Sequence, residues 1–314
     1  MKKHTFETFA TILLVCTAVL STGIFWYVGT LHKTLAQETR IYLNEFAIQD
    51  ALHIETQVNE DLDLLHTIAI AIKTADMDED TILQLIKEER AQHDFKHMEF
   101  VNKDGLAILD TEHFLDLSQT NNFKRTMQGI TSVSNRVKDL YDGKNILVFS
   151  VPIEKNGKVI GALMATRSTA DFARILNLES FSGNGYSLLV NADGEKVVES
   201  FHQNAISGLY NIFDMPDDPD HRLREQVIND FSNRKAGFVR YESKKRGMLY
   251  INYQPLSIND WFLVSVVPAQ HLNALTKHFV TLLVVLCLMI AVTGIFLGGY
   301  MRHVWTSVFS KDDM

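Results

Sequence analysis

His93 and His97 stand four residues apart, the spacing at which two imidazoles on one helix face could share a metal ion. No third ligand stands at a clear spacing from them, so the pair does not read as a metal site. Gly183 and Gly185 form a GxG, but no third glycine opens a helix and a hairpin pattern follows. They therefore read as turn residues and not as a nucleotide fingerprint. Serines, histidines and aspartates show no nucleophile elbow or other catalytic order, so no enzyme activity and no cofactor are expected within these residues. Cys16 and Cys287 are the only cysteines, and both lie in long apolar runs. The stretch between them has no disulfide framework or thiolate site, and its hydrophobic core must hold it together.

The apolar runs bound the rest. Residues 8–31 and 279–301 contain no Asp, Glu, Lys or Arg, and each matches the roughly 20 residues a helix needs to cross a bilayer. The first is long for a signal-peptide core and lacks a convincing cleavage site, which favours a spanning helix. Lys2, Lys3 and His4 precede it, while Arg302, His303 and Lys311 follow the second run, so both termini are expected in the cytoplasm. The expected division is a cytoplasmic segment 1–7, a first span 8–31, an extracytoplasmic portion 32–278, a second span 279–301 and a tail 302–314. A net charge of −8 with no basic cluster argues against a nucleic-acid partner.

Between the spans the pattern is α+β. Leu35 to Ala75 places Leu43, Phe46, Ala47, Leu62, Leu65, Ile68, Ala69 and Ile72 at helical spacing without Gly or Pro, which predicts a long stalk helix. Met77 to Arg90 predicts a second helix. Strands are expected over 98–102 and 106–110 around Lys103-Asp104-Gly105, and over 131–133. A short helix over 121–127 stops at Gly129, a usual capping residue. The hairpin of Ile146 to Ile153 with Val159 to Thr166, around Lys155-Asn156-Gly157, completes an antiparallel sheet of about five strands. A helix that Ser168 can cap then leads to a second hairpin, Tyr186 to Val190 with Lys196 to Glu199. A helix over 221–231 and strands over 237–242, 248–253 and 261–267 finish a second, smaller module. A last helix is expected to run from Ala269 into the second span without a break.

FKRTMQG (123–129), SVPI with NGKVIGAL (150–163), FSGNGYSLLVNADGEKV (181–197) and DWFLVSVVP (260–268) come in an order that resembles the double CACHE family, the PAS-like extracytoplasmic sensors of bacterial receptors. The resemblance implies two PAS-like antiparallel-sheet modules on the stalk helix, a distal one over about 38–175 and a proximal one over about 181–268. It also implies a small-molecule ligand in the distal module and a homodimer. In the amino-acid-binding branch an Arg and a Trp-Tyr pair on the short helix hold the ligand carboxylate, and an Asp after the IG step holds its amine. By position this chain has Thr120, Asn122 and Phe123 at the helix sites and Thr166 at the Asp site. The missing carboxylate counts against an α-amino acid. Arg136 and Arg167, the cations nearest the matched segments, suggest an anionic ligand, although each also reads as a solvated surface arginine. The expected ligand set is Asn122, Phe123, Arg136, Thr166 and Arg167.

Gly294 and Gly298 make a GxxxG through which two second-span helices could meet, an assignment that competes with the general frequency of glycine in membrane helices. Asp312-Asp313-Met314 resembles the entry to GGDEF diguanylate cyclase domains, so the chain is expected to be the input half of such a protein. The alternatives are the sensor part of a histidine kinase or chemoreceptor, and a stand-alone membrane-anchored binding protein.

Overall fold

The computed structural model describes residues 2–75, 77–108, 114–176, 185–200, 211–215, 217–219, 221–269 and most of 281–300; side chains of the first helix are described at Thr22, Gly23, Trp26 and from residue 40 onward. Leu43–Ala269 is one compact unit, and the residues on either side of it form a second.

The first helix, α1, runs Lys2–Ala75. Leu43, Ala47, Asp50, Ile54, Val58, Asp61, Leu65, Ile68 and Ile72 are buried along it, at steps of three and four that keep one stripe on one face. α2 (Glu79–Gln92) starts where the Asp78 carboxylate accepts a hydrogen bond from the Thr81 amide at 2.9 Å, a normal N-cap. The metal spacing of His93 and His97 is not realised on a helix. His93 caps α2, while His97 opens the strand β1 (His97–Asn102).

The distal sheet has seven strands where the sequence predicts about five. They are β1, β2 (Leu106–Ile108), β3 (Phe114–Asp116), β4 (Ser132–Val133), β5 (Val137–Lys138), β6 (Asn145–Lys155) and β7 (Lys158–Ser168), in the order β3-β2-β1-β7-β6-β4, with β5 also on β6. The additions, β3 and β5, are three and two residues long, too short to show a period. The β6–β7 hairpin turns at Asn156 and Gly157, both at positive φ (53° and 74°), the two-residue turn that the Asn-Gly pair favours. The short helix α3 (Asn121–Thr126) starts at Thr120.

After α4 (Thr169–Leu176), β8 (Tyr186–Val190), β9 (Lys196–Val198), β10 (Gly237–Ser243), β11 (Gly247–Pro255) and β12 (Phe262–Pro268) form an antiparallel proximal sheet in the order β10-β11-β12-β8-β9. α5 (Arg222–Ser232) buries Val227 and Phe231 against one face, where Phe231 stacks on Phe262 at 3.9 Å. The opposite face, with Leu189, Leu263 and Trp261, joins the same core as Ile54, Val58 and Leu65 of α1 and as Leu147, Phe149 and Val151 of β6. α1 is thus the spine on which both sheets bury an apolar face, each Leu or Phe contributing about 2 kcal/mol.

Thr281–Tyr300 is a helix of 20 residues with mean hydropathy 2.7, long and apolar enough to cross a bilayer, and none of its described side chains is buried. The first apolar run lies on the backbone of α1. The expected continuity from Ala269 into the second span, and the tail that carries Asp312-Asp313-Met314, lie outside the described residues.

Candidate ligand-binding site

Side-chain alternation gives the distal sheet two unlike faces. Met98, Leu147, Phe149, Leu163 and Ala165 point into the core with α1, so His97 and Glu99 of β1, Met164 and Thr166 of β7, and Ile146 and Val148 of β6 point the other way. They line a cavity of about 770 Å³, within the ordinary range for a small-molecule site. One wall is the start of α3, where Thr120 caps the helix through Phe123 N and Asn122 Nδ2 donates to Val148 O at 3.0 Å. A second wall is the segment from Val133 to Tyr141. The third comes from the proximal module, whose turn between β11 and β12 contributes Asn259 and Asp260. Two hydrogen bonds hold that turn against the distal sheet: Asn259 Nδ2 donates to Val133 O at 2.8 Å, and Trp261 Nε1 to Asn135 Oδ1 at 2.6 Å.

A polar cluster lies along the β1 edge of the cavity. Lys96 Nζ donates to Asp139 and, at 2.8 Å, to Asp142. His97 Nε2 lies 3.0 Å from Asp139 Oδ2, and the Tyr141 amide donates to Asp139 Oδ1 at 2.9 Å. Burial works to raise the Asp139 pKa, but hydrogen bonds from Lys96, the Tyr141 backbone and His97 outweigh it and hold the carboxyl below its usual range. Asp142 is lowered to about 2, chiefly by Lys96. The Tyr141 hydroxyl donates to Glu99 Oε1 at 2.6 Å, and its ring stacks on His97 with centroids 4.3 Å apart. Glu99 is pushed up, first by desolvation and then by Asp139, against the opposing hydrogen bond from Tyr141 and the charge of His97.

The structure divides the residues expected from sequence. Asn122 and Thr166 line the cavity together with Thr120. Phe123 does not line the cavity and is buried in a cluster with Val101, Leu117 and Met164. Arg136 reaches Glu199 at 3.2 Å. Arg167 points to the α1 side, where it grips Asp61 through Nε at 2.6 Å and Nη2 at 2.7 Å, donates to His93 O and covers the Phe95 ring at 4.3 Å. Neither arginine lines the cavity; Arg125 and Lys138, both exposed, do. Sequence reasoning did not find His97 as a cavity residue, nor Glu99, Asp139 or Tyr141. The available signal was the charged Glu99 between the apolar Met98 and Phe100 in the middle of β1. Thr166 pairs with His97 across β1 and β7, and Glu99 lies two residues further along the same face.

Among solved structures, the fold is similar to the ligand-binding domain of the Pseudomonas fluorescens chemoreceptor CtaA in complex with L-isoleucine (TM-score 0.59, 14% identity, covering 78% of this chain and 99% of that one). It is also similar to the sensory domain of the Campylobacter jejuni chemoreceptor Tlp3 with isoleucine bound (0.58, 13%, 77% and 97%). A third is the ligand-binding domain of the Pseudomonas aeruginosa PAO1 amino acid chemoreceptor PctB in complex with L-Arg (0.57, 18%, 76% and 98%). No curated protein matches the sequence. Residues 31–275 match the Cache domain model, and with that match over most of its length the chain belongs to the Cache family of sensor domains.

Proposed function

We propose that the chain is a transmembrane sensor whose distal cavity binds a small extracellular molecule and whose proximal module relays the event. One observation carries this reading: the cavity stands on the distal sheet but is also lined by Asn259 and Asp260 of the proximal module, so an occupant that reaches this wall touches both. A ligand that prefers one arrangement of that turn biases the joint between the modules. Family membership supports a small-molecule occupant, as do the amino-acid ligands of the chemoreceptor domains that share the fold.

In this reading residues 8–31 and 279–301 span the membrane and both termini are cytoplasmic. Residues 32–278 form the outer sensor, with modules over about 38–175 and 181–268. Two copies pair, with Gly294 and Gly298 allowing close approach of the second spans. The output is a diguanylate cyclase domain entered at Asp312-Asp313-Met314. A chemoreceptor output is the second reading, favoured by the receptors from which the similar domains come. Thermal unfolding of the full chain in detergent, screened against amines, amino acids, carboxylates and sugars, tests the sensing step. A true ligand at 100 times its Kd adds about 2.7 kcal/mol of stability. A panel in which no compound raises the melting temperature removes the reading.

A further inference from the structure

We propose that the ligand presents an ammonium group to Glu99; this rests on the sensing reading above and names the chemistry of the same cavity. Three carboxylates line the cavity, and among the described residues Glu99 is the one that is both buried and bonded at a single oxygen. Asp139 is saturated: Oδ2 meets Lys96 and His97, and Oδ1 accepts from the Tyr141 amide. Asp260 accepts from the Ala192 amide at 3.3 Å and is only partly buried. Glu99 is 7% exposed, and Oε1 accepts from the Tyr141 hydroxyl at 2.6 Å. Among the described residues, Oε2 accepts nothing and no lysine or arginine lies within ion-pair distance. Oε2 is open to the cavity and not sealed from it, and a mostly buried carboxylate gains from a cation that an occupant brings to that oxygen.

The remaining chemistry points the same way. A neutral donor is already present in Tyr141, so what Glu99 lacks is a charge-assisted hydrogen bond. The arginines that suggested an anionic ligand are committed elsewhere, Arg136 to Glu199 and Arg167 to Asp61. The lining cations, Arg125 and Lys138, are exposed and make no ion pair with Glu99. The Tyr141 ring, with Val137 and Leu140 beside it, gives an alkylammonium an aromatic face and an apolar wall for its carbon chain. An ammonium can come from a free amine or from a zwitterion. In the second case its carboxylate would be left for Arg125 or Lys138.

Isothermal titration of the full chain in detergent with three unbranched four-carbon compounds that differ only in their ends, 1,4-diaminobutane, 4-aminobutanoate and succinate, tests the inference. The expected result is binding of one or both ammonium compounds and none of succinate. Diamine binding alone identifies a free amine, and preference for 4-aminobutanoate a zwitterion. Glu99→Gln keeps an acceptor for Tyr141 but removes the charge, and should weaken binding about tenfold or more. If that variant does not fold, Tyr141→Phe serves instead. It frees Glu99 while keeping the ring on His97, and should hold the ammonium compound at least as tightly as the native chain. Succinate binding without the amines, an unchanged affinity in Glu99→Gln, or silence of both ammonium compounds at millimolar concentration overturns the inference. The sensing reading falls only if the wider metabolite panel is silent too.

Discussion

Two buried carboxylates on α1 show how environment separates residues of one type. Both oxygens of Asp61 are gripped by the Nε–Nη2 edge of the Arg167 guanidinium, while Asp50, eleven residues earlier on the same stripe, has no cation in ion-pair contact among the described residues. Removing one partner of a buried pair strands the other, so Arg167→Ala should cost about 3–5 kcal/mol in denaturant unfolding, whereas replacing both residues with apolar ones should cost much less. An equal loss in the double variant would contradict this. Desolvation raises the Asp50 pKa from 3.8 to about 6, with nearby His53 pulling the other way. In the folded state this carboxyl holds its proton over a range where the unfolded chain has released it, so its contribution falls as pH rises from 3.8 to about 6. Asp50→Asn should therefore stabilise the protein by about 1–2 kcal/mol at about pH 8, after allowance for solvent screening, and hardly at all below about pH 4, read from paired unfolding curves. A pH-independent effect would show that Asp50 has a partner in its charged form. Sequence could not separate these aspartates, because Arg167 is far along the chain and only the packing of β7 beside α1 brings it to one and not the other. The same packing directs Arg167 away from the cavity while Thr166, its neighbour on β7, faces in. Strand alternation decides which of two adjacent candidates belongs to the site.

Among elements, the turn between β11 and β12 carries the coupling argument. Asn259 sits at φ 49°, a left-handed position that asparagine tolerates, and its side chain is bonded to Val133 at the cavity wall. Asn259→Gly keeps that backbone conformation and removes only the amide. In the native chain a ligand should slow amide exchange in both β4 and the 256–261 turn; in Asn259→Gly the protection of β4 should remain and that of the turn should fade. Persistence of both would mean that the turn is coupled to the cavity without the Asn259 amide, through contacts such as Trp261 with Asn135. The long hairpins and helices were legible in the sequence because their periods extend over many residues and Asn156-Gly157 marks a turn. β3 and β5 were not, since two or three residues carry no period and β5 exposes both of its side chains. The wall from Val133 to Tyr141 was missed for the same reason, and with it Asp139 and Tyr141. Their partners Lys96, His97 and Glu99 lie some 40 residues away in sequence.

For the whole molecule, a cavity lined by both sheet modules lies within the unit Leu43–Ala269, and among the described residues the helix Thr281–Tyr300 is apolar enough to cross a bilayer. In the proposed function the distal cavity is where the signal is read. Val148 lines its floor and is half-buried in the middle of β6, a strand that accepts aromatic residues. Val148→Trp would fill the cavity while leaving the α1 face of the sheet untouched. The most direct measurement is thermal unfolding of the full chain in detergent, native and Val148→Trp, with the compound that stabilises the native chain most. The melting temperature should rise for the native chain and not for a folded Val148→Trp. An equal rise in both would place the ligand elsewhere and contradict it.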